Sequence, residues 1–458
     1  MSTAQDVARQ VDVGLDSQLQ TLKELVAIPS VSSDPTRTED MWRSARYVRD
    51  ACAALGLEAS IHQAEIPGGM GAPAVIARSC GDPEKPTVLL YAHHDVQPPG
   101  DQSRWDSPAF EAQIRGNRIF GRGTSDDGAG IVVHLGAVEA LMALDGSLPV
   151  NVIVFVEGEE EVGSPSFQNF LTSFREELTA DVIIVADSGN WTVDIPAITA
   201  SLRGVVAMDV SVRVLAHAVH SGFVGGPILD AVTLASRLIS TLHDEDGAVA
   251  VEGLGGNPRA EVEWSEEDYR RDASVVEGYR LAGRGDLAAR VWTMPAINVI
   301  GMDATSVADS ANTIIPHCTF RLSIRTVPGS NAEETAQAVA AHLLAHAPFG
   351  CEVSTSIKEL GPSYQANLDR EAVKELREAL ATAWGTEAVA IGQGGSIPFI
   401  AQFEEVFPAA EVVVTGVEDP ATNAHSENES QSIPVLRNAT VAEALLLQRL
   451  GEKKDRSE

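Results

Sequence analysis

The chain has 458 residues and a formal net charge of −32 at pH 7. This length exceeds what one hydrophobic core usually serves, so two or more domains are expected. The negative charge argues against nucleic-acid and anionic-membrane partners, and no apolar run is long enough to predict a membrane span.

The four cysteines are widely spaced and form no CxxC pair. This pattern predicts buried thiols in a reducing compartment, not a disulfide framework or zinc ligands. The first residues, MSTAQDVARQVD, contain no basic segment followed by an apolar one. No signal peptide is therefore predicted, and a cytoplasmic location is expected.

The first candidate ligands follow a short apolar run. Strands are predicted at residues 74–77 and 87–91, and the second continues into HHDVQPPGD, which contains His93 and Asp95. Residues two apart on an extended backbone point to the same side. Asp95 can therefore accept the spare imidazole N–H of His93 and fix its tautomer, while His94 points away.

A glycine-rich loop, GRGTSDDGAG, carries Asp126 and Asp127 just before a helix predicted over residues 129–144. Either aspartate could cap this helix. A loop carboxylate could also bridge two metal ions, and the residues alone leave both interpretations open. His134 lies inside the predicted helix and is interpreted as structural.

Two more apolar runs end in carboxylates. NVIVFVEGEEEVGS leads into Glu160 and Glu161, and DVIIVADSGNW leads into Asp187. The carboxyl ends of parallel strands meet at one edge of a sheet, so we expect this edge to be lined with metal-type ligands. The alternative for the glutamates is a solvated helix start. In an extended chain, Glu160 and Glu161 would point to opposite sides.

The pattern changes near residue 205. Residues 208–214 and 320–324 alternate apolar and polar side chains, which predicts strands with one solvated face. With helices predicted at 228–242 and 332–345 and a charged excursion at 243–290, they indicate a separate α+β domain inserted at 205–360. The first domain then comprises residues 1–204 and 361–458.

After residue 361 the chain again contains a predicted helix and apolar strands like those of the first domain, and it adds further candidate residues. Gly394, Gly395 and Ser396 form a small-residue turn whose backbone N–H groups could hold a carboxylate. His425 lies in a polar loop, VEDPATNAHSENES.

Eight segments together resemble a known family. YAHHDVQP, GRGTSDDGAG, EGEEEVGS, the strand-end Asp187, VHSGFVGG, SIRTVP, GGSIP and NAHSENE occur in the order seen in the M20 family of dinuclear zinc peptidases. The chain is most similar to the dipeptidase branch, the carnosinase-like enzymes. The resemblance implies an α/β catalytic domain with a mostly parallel sheet flanked by helices. It also implies an inserted α+β lid and dimerisation domain with a ferredoxin-like antiparallel sheet.

The resemblance implies two divalent metal ions per chain, zinc first, with manganese or cobalt as alternatives. Asp126 would bridge both ions. His93 and Asp187 would complete one metal site, and Glu161 and His425 the other.

The resemblance also assigns the catalytic groups. Glu160 would be the general base, and Asp95 would support His93. The peptide bond between Asp126 and Asp127 would be cis. His220 would reach the active site of a partner subunit and donate to the developing oxyanion; the alternative is that it only orders its own loop beside Gly222.

Substrate contacts are implied at the lid and at the glycine turn. Arg325 would hold the substrate carboxylate, although its position in the alternation also suits one more exposed arginine. Asn312 and Thr313 would supply polar contacts. The remaining predicted contacts are Gly394, Gly395 and Ser396.

One departure from the family pattern is visible, because Gly128 stands where the family usually has Lys. The leading functional hypothesis is a metal-dependent exopeptidase that cleaves dipeptides or similarly short peptides with a free C-terminus. The alternatives are an N-acyl-amino-acid deacylase or desuccinylase of the same family, and a dimeric binding protein that has lost its metals.

Overall fold

The structure is a computed structural model, and it describes residues 2–395 and 398–454. Ser396 lies outside these residues. The chain divides into two compact units. Unit 1 comprises Met1–Ala200, Ala366–Ala390 and Phe399–Glu458, and unit 2 comprises Ser201–Gln365 and Ile391–Pro398.

The helices and strands of the described residues are as follows. The helices are α1 Ala4–Val26, α2 Thr38–Ala54, α3 Gly128–Asp145, α4 Phe167–Ser173, α5 Arg175–Leu178, α6 Ser221–Val224, α7 Ala231–Ile239, α8 Glu266–Asp272, α9 Leu287–Trp292, α10 Ala332–Ala345, α11 Glu371–Trp384, α12 Pro398–Val406 and α13 Ile433–Lys454. The strands are β1 Glu58–His62, β2 Glu65–Ile66, β3 Gly69–Met70, β4 Ala74–Arg78, β5 Thr87–His93, β6 Gln113–Arg115, β7 Arg118–Phe120, β8 Asn151–Glu157, β9 Val182–Val185, β10 Ala197–Leu202, β11 Gly204–Arg213, β12 Val219–His220, β13 Ala296–Asp303, β14 Thr313–Ile314, β15 His317–Thr326, β16 Glu352–Gly361, β17 Tyr364–Gln365, β18 Val389–Gln393, β19 Glu411–Val414 and β20 Ser430–Ser432.

Unit 1 is built on a six-stranded sheet in the order β1-β4-β8-β5-β9-β19. Strands β8, β5, β9 and β19 run parallel, whereas β1 and β4 pair antiparallel. The apolar runs at the centre of this sheet are almost fully buried, as expected for strands covered on both faces. The predicted, mostly parallel sheet is confirmed.

Helices cover both faces of this sheet. On one face, α3 packs against β5, and α1, α11 and α13 pack around α3 and one another. On the other face, α4 and α12 contribute to an aromatic cluster that also includes Tyr91 of β5 and Phe155 of β8. Each such ring buries a large apolar area, so the cluster fixes the central strands whose ends carry the candidate ligands.

Helix α3 is long and apolar enough to span a membrane by length and composition alone, although the sequence analysis expected no such segment. However, 72% of its 18-residue window is buried inside the protein, so α3 is a core helix of unit 1. It begins after Asp127, whose side chain accepts the Gly130 N–H, and ends at Gly146 with φ 68°. These are the usual cap positions for such residues.

Unit 2 contains a four-stranded antiparallel sheet in the order β13-β15-β11-β16. Along β15, buried and more exposed residues alternate, with Leu322 inside and Arg321 outside as predicted. Helices α7 and α10 pack on the buried face. The architecture is the α+β arrangement that the alternation predicted.

Candidate dinuclear metal centre

Three neighbouring parallel strands of unit 1 end at the same edge of the sheet. His93, the last residue of β5, is the register partner of Glu157, the last residue of β8. On the other side of β5, Tyr91 pairs with Val185 at the end of β9. This register brings the segments that follow β8 and β9 beside His93, as the sequence pattern predicted.

The five predicted metal ligands lie together at this edge. One carboxylate oxygen of Asp126 lies 3.1 Å from His93 Nε2, and the other lies 2.8 Å from His425 Nε2. Asp187 lies 3.9 Å from His93 Nε2, and Glu161 lies 3.3 Å from His425 Nε2. The Asp126 carboxylate therefore faces two different histidines, each accompanied by one further carboxylate.

Two ligand groups can be drawn from this cluster, each with ligand atoms within 4.8 Å of one another. One contains Asp126, Glu161 and His425, and the other contains His93, Asp187 and Asp127. Both Asp127 oxygens, however, accept backbone N–H groups, from Gly130 at 3.1 Å and from His93 at 3.2 Å.

These bonds make Asp127 the cap of α3. They leave Asp126, with one oxygen towards each histidine, as the better bridging carboxylate. The peptide bond between the two aspartates is cis, as the resemblance implied.

Asp95 connects the two halves of the site. Its backbone carbonyl lies 3.0 Å from His93 Nδ1, and its carboxylate lies 3.4 Å from the same atom. The two carboxylate oxygens also accept the backbone N–H groups of Glu160 and Glu161, both at 3.1 Å. If Nδ1 donates its proton to Asp95, the Nε2 lone pair of His93 is available to bind a metal ion.

The glutamates do not lie in an extended chain. Glu160–Val162 forms one turn of 3₁₀ helix, so the expectation that neighbours point apart because of strand geometry is wrong. In a 3₁₀ turn successive side chains are about 120° apart, which still separates the two directions. Glu161 faces His425 and also accepts a hydrogen bond from Gln97 Nε2 at 2.7 Å.

The donor set fits a pair of divalent cations. Among the described residues, His93 Nε2 and Glu161 Oε1 are buried and have no hydrogen-bond partner. Burial raises the pKa of Glu160 to about 9 and that of Asp187 to about 7, and neighbouring carboxylates act in the same direction. Bound cations would offset this repulsion, and imidazole with carboxylate suits zinc, manganese and cobalt.

A second layer of residues was missed by the sequence analysis. Buried Glu429 accepts the backbone N–H groups of Gly123, Ser125 and Asp126 at 3.0, 2.9 and 3.2 Å. The same carboxylate pairs with the buried guanidinium of Arg122. Glu429 lies four residues after His425 in the NAHSENES segment, so it joins the two loops that carry Asp126 and His425. An acidic residue inside a ligand-bearing motif was the available signal.

The absence of a side chain at Gly128 has a local steric explanation. A Cβ atom there would lie 2.3 Å from the carbonyl oxygen of Gly123 and 3.0 Å from Leu22 Cδ1. The backbone of the Asp126 loop is therefore too close for a lysine side chain, while the ligand cluster beside it is complete.

The predicted lid residues belong to unit 2, and they lie on different elements of it. One group lies on and beside the short strands β12 and β14. His220 pairs in register with Thr313, and the Asn312 carbonyl accepts the Ser221 N–H at 2.9 Å. His220 is exposed, and its Nδ1 accepts the Gly222 N–H at 3.0 Å, which is the loop-ordering contact considered above.

The remaining predicted contacts of unit 2 lie on its main sheet and at the glycine turn. Arg325 is part-buried on β15. Gly394 and Gly395 form a bend directly after β18.

Comparison with known proteins identifies the family. Residues 89–449 match the model of peptidase family M20/M25/M40. The chain belongs to this family, which confirms the resemblance.

The chain is 33% identical to the cysteinylglycine-S-conjugate dipeptidase of Corynebacterium striatum, over 94% of this chain and 95% of that protein. It is 28% identical to the human Beta-Ala-His dipeptidase, over 92% and 88% of the two chains. The structure of the dipeptidase Dug1p from Saccharomyces cerevisiae superposes with a TM-score of 0.76 at 22% identity, covering 98% and 99% of the two chains, which supports the fold.

Proposed function

We propose that this protein is a metal-dependent dipeptidase. The observation that carries the proposal is the Asp126 carboxylate, which faces His93 with one oxygen and His425 with the other. Zinc is the proposed metal, with manganese and cobalt as alternatives. Bound at this edge, a pair of divalent ions supplies a water molecule of lowered pKa and polarises the scissile carbonyl.

Glu160 is the proposed general base. Asp95 holds the Glu160 backbone at the sheet edge, and burial raises the pKa of the Glu160 carboxyl to about 9. Two bound cations would bring this pKa back towards neutrality, and the ionised Glu160 carboxylate could then take a proton from the attacking water and deliver it to the leaving amine. His93, Asp187, Glu161 and His425 complete the proposed ligand set with Asp126.

Unit 2 is the proposed lid. Arg325 would hold the C-terminal carboxylate of the substrate, and His220 would donate to the developing oxyanion in the site of a partner subunit. The other proposed contacts are Asn312, Thr313, Gly394, Gly395 and Ser396.

A homodimer through unit 2 is proposed because β13 is an edge strand with exposed apolar side chains. This strand is at one edge of the antiparallel sheet, so its outer backbone groups have no strand neighbour among the described residues. Val299, Ile300 and Met302 are 40%, 60% and 42% exposed. An exposed apolar edge strand is a surface that a second copy of the chain can cover.

The alternative functions are not favoured. The curated relatives above are named as dipeptidases, not as deacylases. A metal-free binding protein would not need to keep an intact cluster of two histidines and three carboxylates. The short peptide is the proposed substrate. The charge gives no support to a nucleic-acid or membrane partner, and a cytoplasmic location remains part of the proposal.

A substrate panel tests the function. Purified protein, reconstituted with zinc or manganese, would be incubated with dipeptides that include Cys-Gly and β-Ala-His, with the matching C-terminal amides, and with N-acetyl and N-succinyl amino acids. We expect cleavage of dipeptides with a free carboxylate and little cleavage of the amides. Cleavage of the N-acyl amino acids alone would favour the deacylase, and no cleavage of any compound by metal-loaded protein would reject an enzyme of either kind.

A further inference from the structure

Arg203 of unit 2 carries a buried guanidinium that has no acidic partner within the part of the chain that the structure describes. It is only 8% exposed and lies in the one-residue gap between β10 and β11. Among the described residues, its side chain makes a single hydrogen bond, a long one of 3.4 Å from Nη1 to the Met294 carbonyl. Its Nε has no hydrogen-bond partner among the described residues.

Other arginines with low exposure in this protein are paired with a carboxylate. Arg122, which is 2% exposed, pairs with the carboxylate of Glu429. Arg118 makes two bonds to Asp419, at 3.0 and 2.9 Å. A buried charge that is neither paired nor fully hydrogen-bonded is strongly unfavourable. The guanidinium of Arg203 would therefore be stabilised by a bound anion.

Arg203 lies beside a second unpaired arginine. Val205 of β11 is the register partner of Arg325 on β15, and Arg203 precedes Val205 by two residues. Arg203 lies one residue before this paired segment, and diagonal neighbours on two adjacent strands are about 7–8 Å apart, within reach of two long side chains. Among the described residues, no acidic group lies within ion-pair distance of Arg325.

The positive charge of Arg325 acts on the guanidinium of Arg203. Burial and the neighbouring Arg325 charge lower the pKa of Arg203 to about 10. By contrast Arg321, four residues before Arg325 on the same strand, pairs with Asp209 through two hydrogen bonds of 2.6 and 3.0 Å. Strand β15 therefore carries Arg321, whose charge is neutralised by Asp209, and Arg325, which has no acidic partner among the described residues.

The glycine turn closes on the same group. A Cβ atom at Gly394 would lie 3.0 Å from Arg203 Nη2, so the turn backbone approaches the guanidinium closely because residue 394 has no side chain. The Gln393 carbonyl also accepts the Arg203 backbone N–H at 3.3 Å. Arg203, Arg325 and the glycine turn thus converge within unit 2.

We propose that Arg203 and Arg325 together form a two-guanidinium site for the C-terminal carboxylate of the peptide substrate. This inference rests on the proposed function, and it makes Arg203 a specificity-determining residue. One carboxylate has two oxygens and several lone pairs, so it can accept from both guanidiniums. A substrate whose carboxylate is replaced by a neutral amide would leave both charges unpaired.

The test separates carboxylate binding from turnover. Metal-loaded protein would be titrated calorimetrically with a non-hydrolysable dipeptide analogue whose scissile amide is replaced by CH₂–NH. Two forms would be used, one with a C-terminal carboxylate and one with a carboxamide. The variants are Arg203→Met, which removes the donors but fills a similar volume, Arg203→Lys, and the matched control Arg321→Met from the same sheet.

Wild-type protein should bind the carboxylate form more tightly. Arg203→Met should reduce this preference by roughly tenfold to a hundredfold, the range for a hydrogen bond to a charged group, with carboxamide affinity within about twofold. Arg203→Lys should recover part of the preference, and Arg321→Met should keep all of it. Metal content should be unchanged in each variant.

An unchanged preference in folded Arg203→Met protein, or equal losses for both forms of the analogue, would overturn the inference and leave Arg203 a structural residue. If Arg203→Met does not fold, Arg203→Lys provides the test by itself, because lysine keeps the positive charge but lacks the planar fork of donors, so the carboxylate preference should fall part of the way. The analogue requires no catalysis. Carboxylate preference without cleavage of any dipeptide would therefore contradict the proposed function and not this site.

Discussion

Replacing Glu429 by Gln tests how the Asp126 loop is held. One oxygen of Glu429 accepts from Ser125 and Asp126, and the other accepts from Gly123 and Arg122. A glutamine amide must place its NH₂ group against one of these two pairs of donors. At least two hydrogen bonds are then lost in either orientation, and Arg122 loses its counter-charge.

The expected cost follows from these contacts. Hydrogen bonds to a charged group contribute about 1.5–3 kcal/mol each, and breaking a buried ion pair from one side costs about 3–5 kcal/mol. Because the two estimates describe overlapping interactions, we expect a destabilisation of about 3–5 kcal/mol and not their sum. If the NH₂ group faces Ser125 and Asp126, Asp126 also loses its backbone anchor, and metal affinity should then fall roughly tenfold to a hundredfold.

The assay is denaturant unfolding of the metal-free protein together with metal titration against a competing chelator. Glu427→Gln is the matched control, because Glu427 lies in the same loop and pairs at 3.5 Å with an exposed arginine, Arg104. Such a pair contributes at most about 1 kcal/mol. Wild-type stability and wild-type metal affinity in Glu429→Gln would refute the role given to this carboxylate.

Three further predictions concern the base, a buried histidine and the edge strand. Glu160→Gln should lower kcat by roughly 10²–10⁴ while elemental analysis still finds the wild-type metal content; full activity would exclude Glu160 as the base. Burial alone would lower the pKa of His134, but Glu443 raises it overall, so this pair stabilises the fold fully below about pH 6.5 and less as pH rises through the folded-state pKa. The unfolding free-energy gap between wild type and His134→Gln should therefore be larger at pH 6 than at pH 9, and an equal gap would contradict the charged pair. Ile300→Lys should shift the protein from dimer to monomer in light scattering, whereas a dimer of wild-type affinity would exclude the β13 edge.

Much of unit 1 could be predicted because its signals are local. A run such as NVIVFVE specifies a doubly covered strand, and the carboxylates after it are carried to the sheet edge by the strand itself. The ligand character of His93, Asp187 and the acidic turn was therefore visible in short segments. Asp126 and His425 could be assigned only through the resemblance, because loop residues have no periodicity that fixes where their side chains go.

The supporting contacts were not predictable for the same physical reason. Glu429 and Arg122 are 307 residues apart in the chain, and nothing local in either segment names the other. The direction of Glu160 and Glu161 was argued from strand geometry, but the chain turns into a 3₁₀ helix at that point, where backbone bonds to Asp95 override the extended conformation. For Arg203, the informative feature is that no acidic group pairs with it among the described residues, which only the three-dimensional structure can show.

Anomalous diffraction from crystals of zinc-reconstituted protein, recorded at the zinc absorption edge, tests the central claim most directly. We expect two peaks per chain, about 3.5–4 Å apart, with Asp126 between them, His93 and Asp187 on one side, and Glu161 and His425 on the other. A single peak, or peaks held by other side chains, would contradict the two-metal centre on which the proposed chemistry depends.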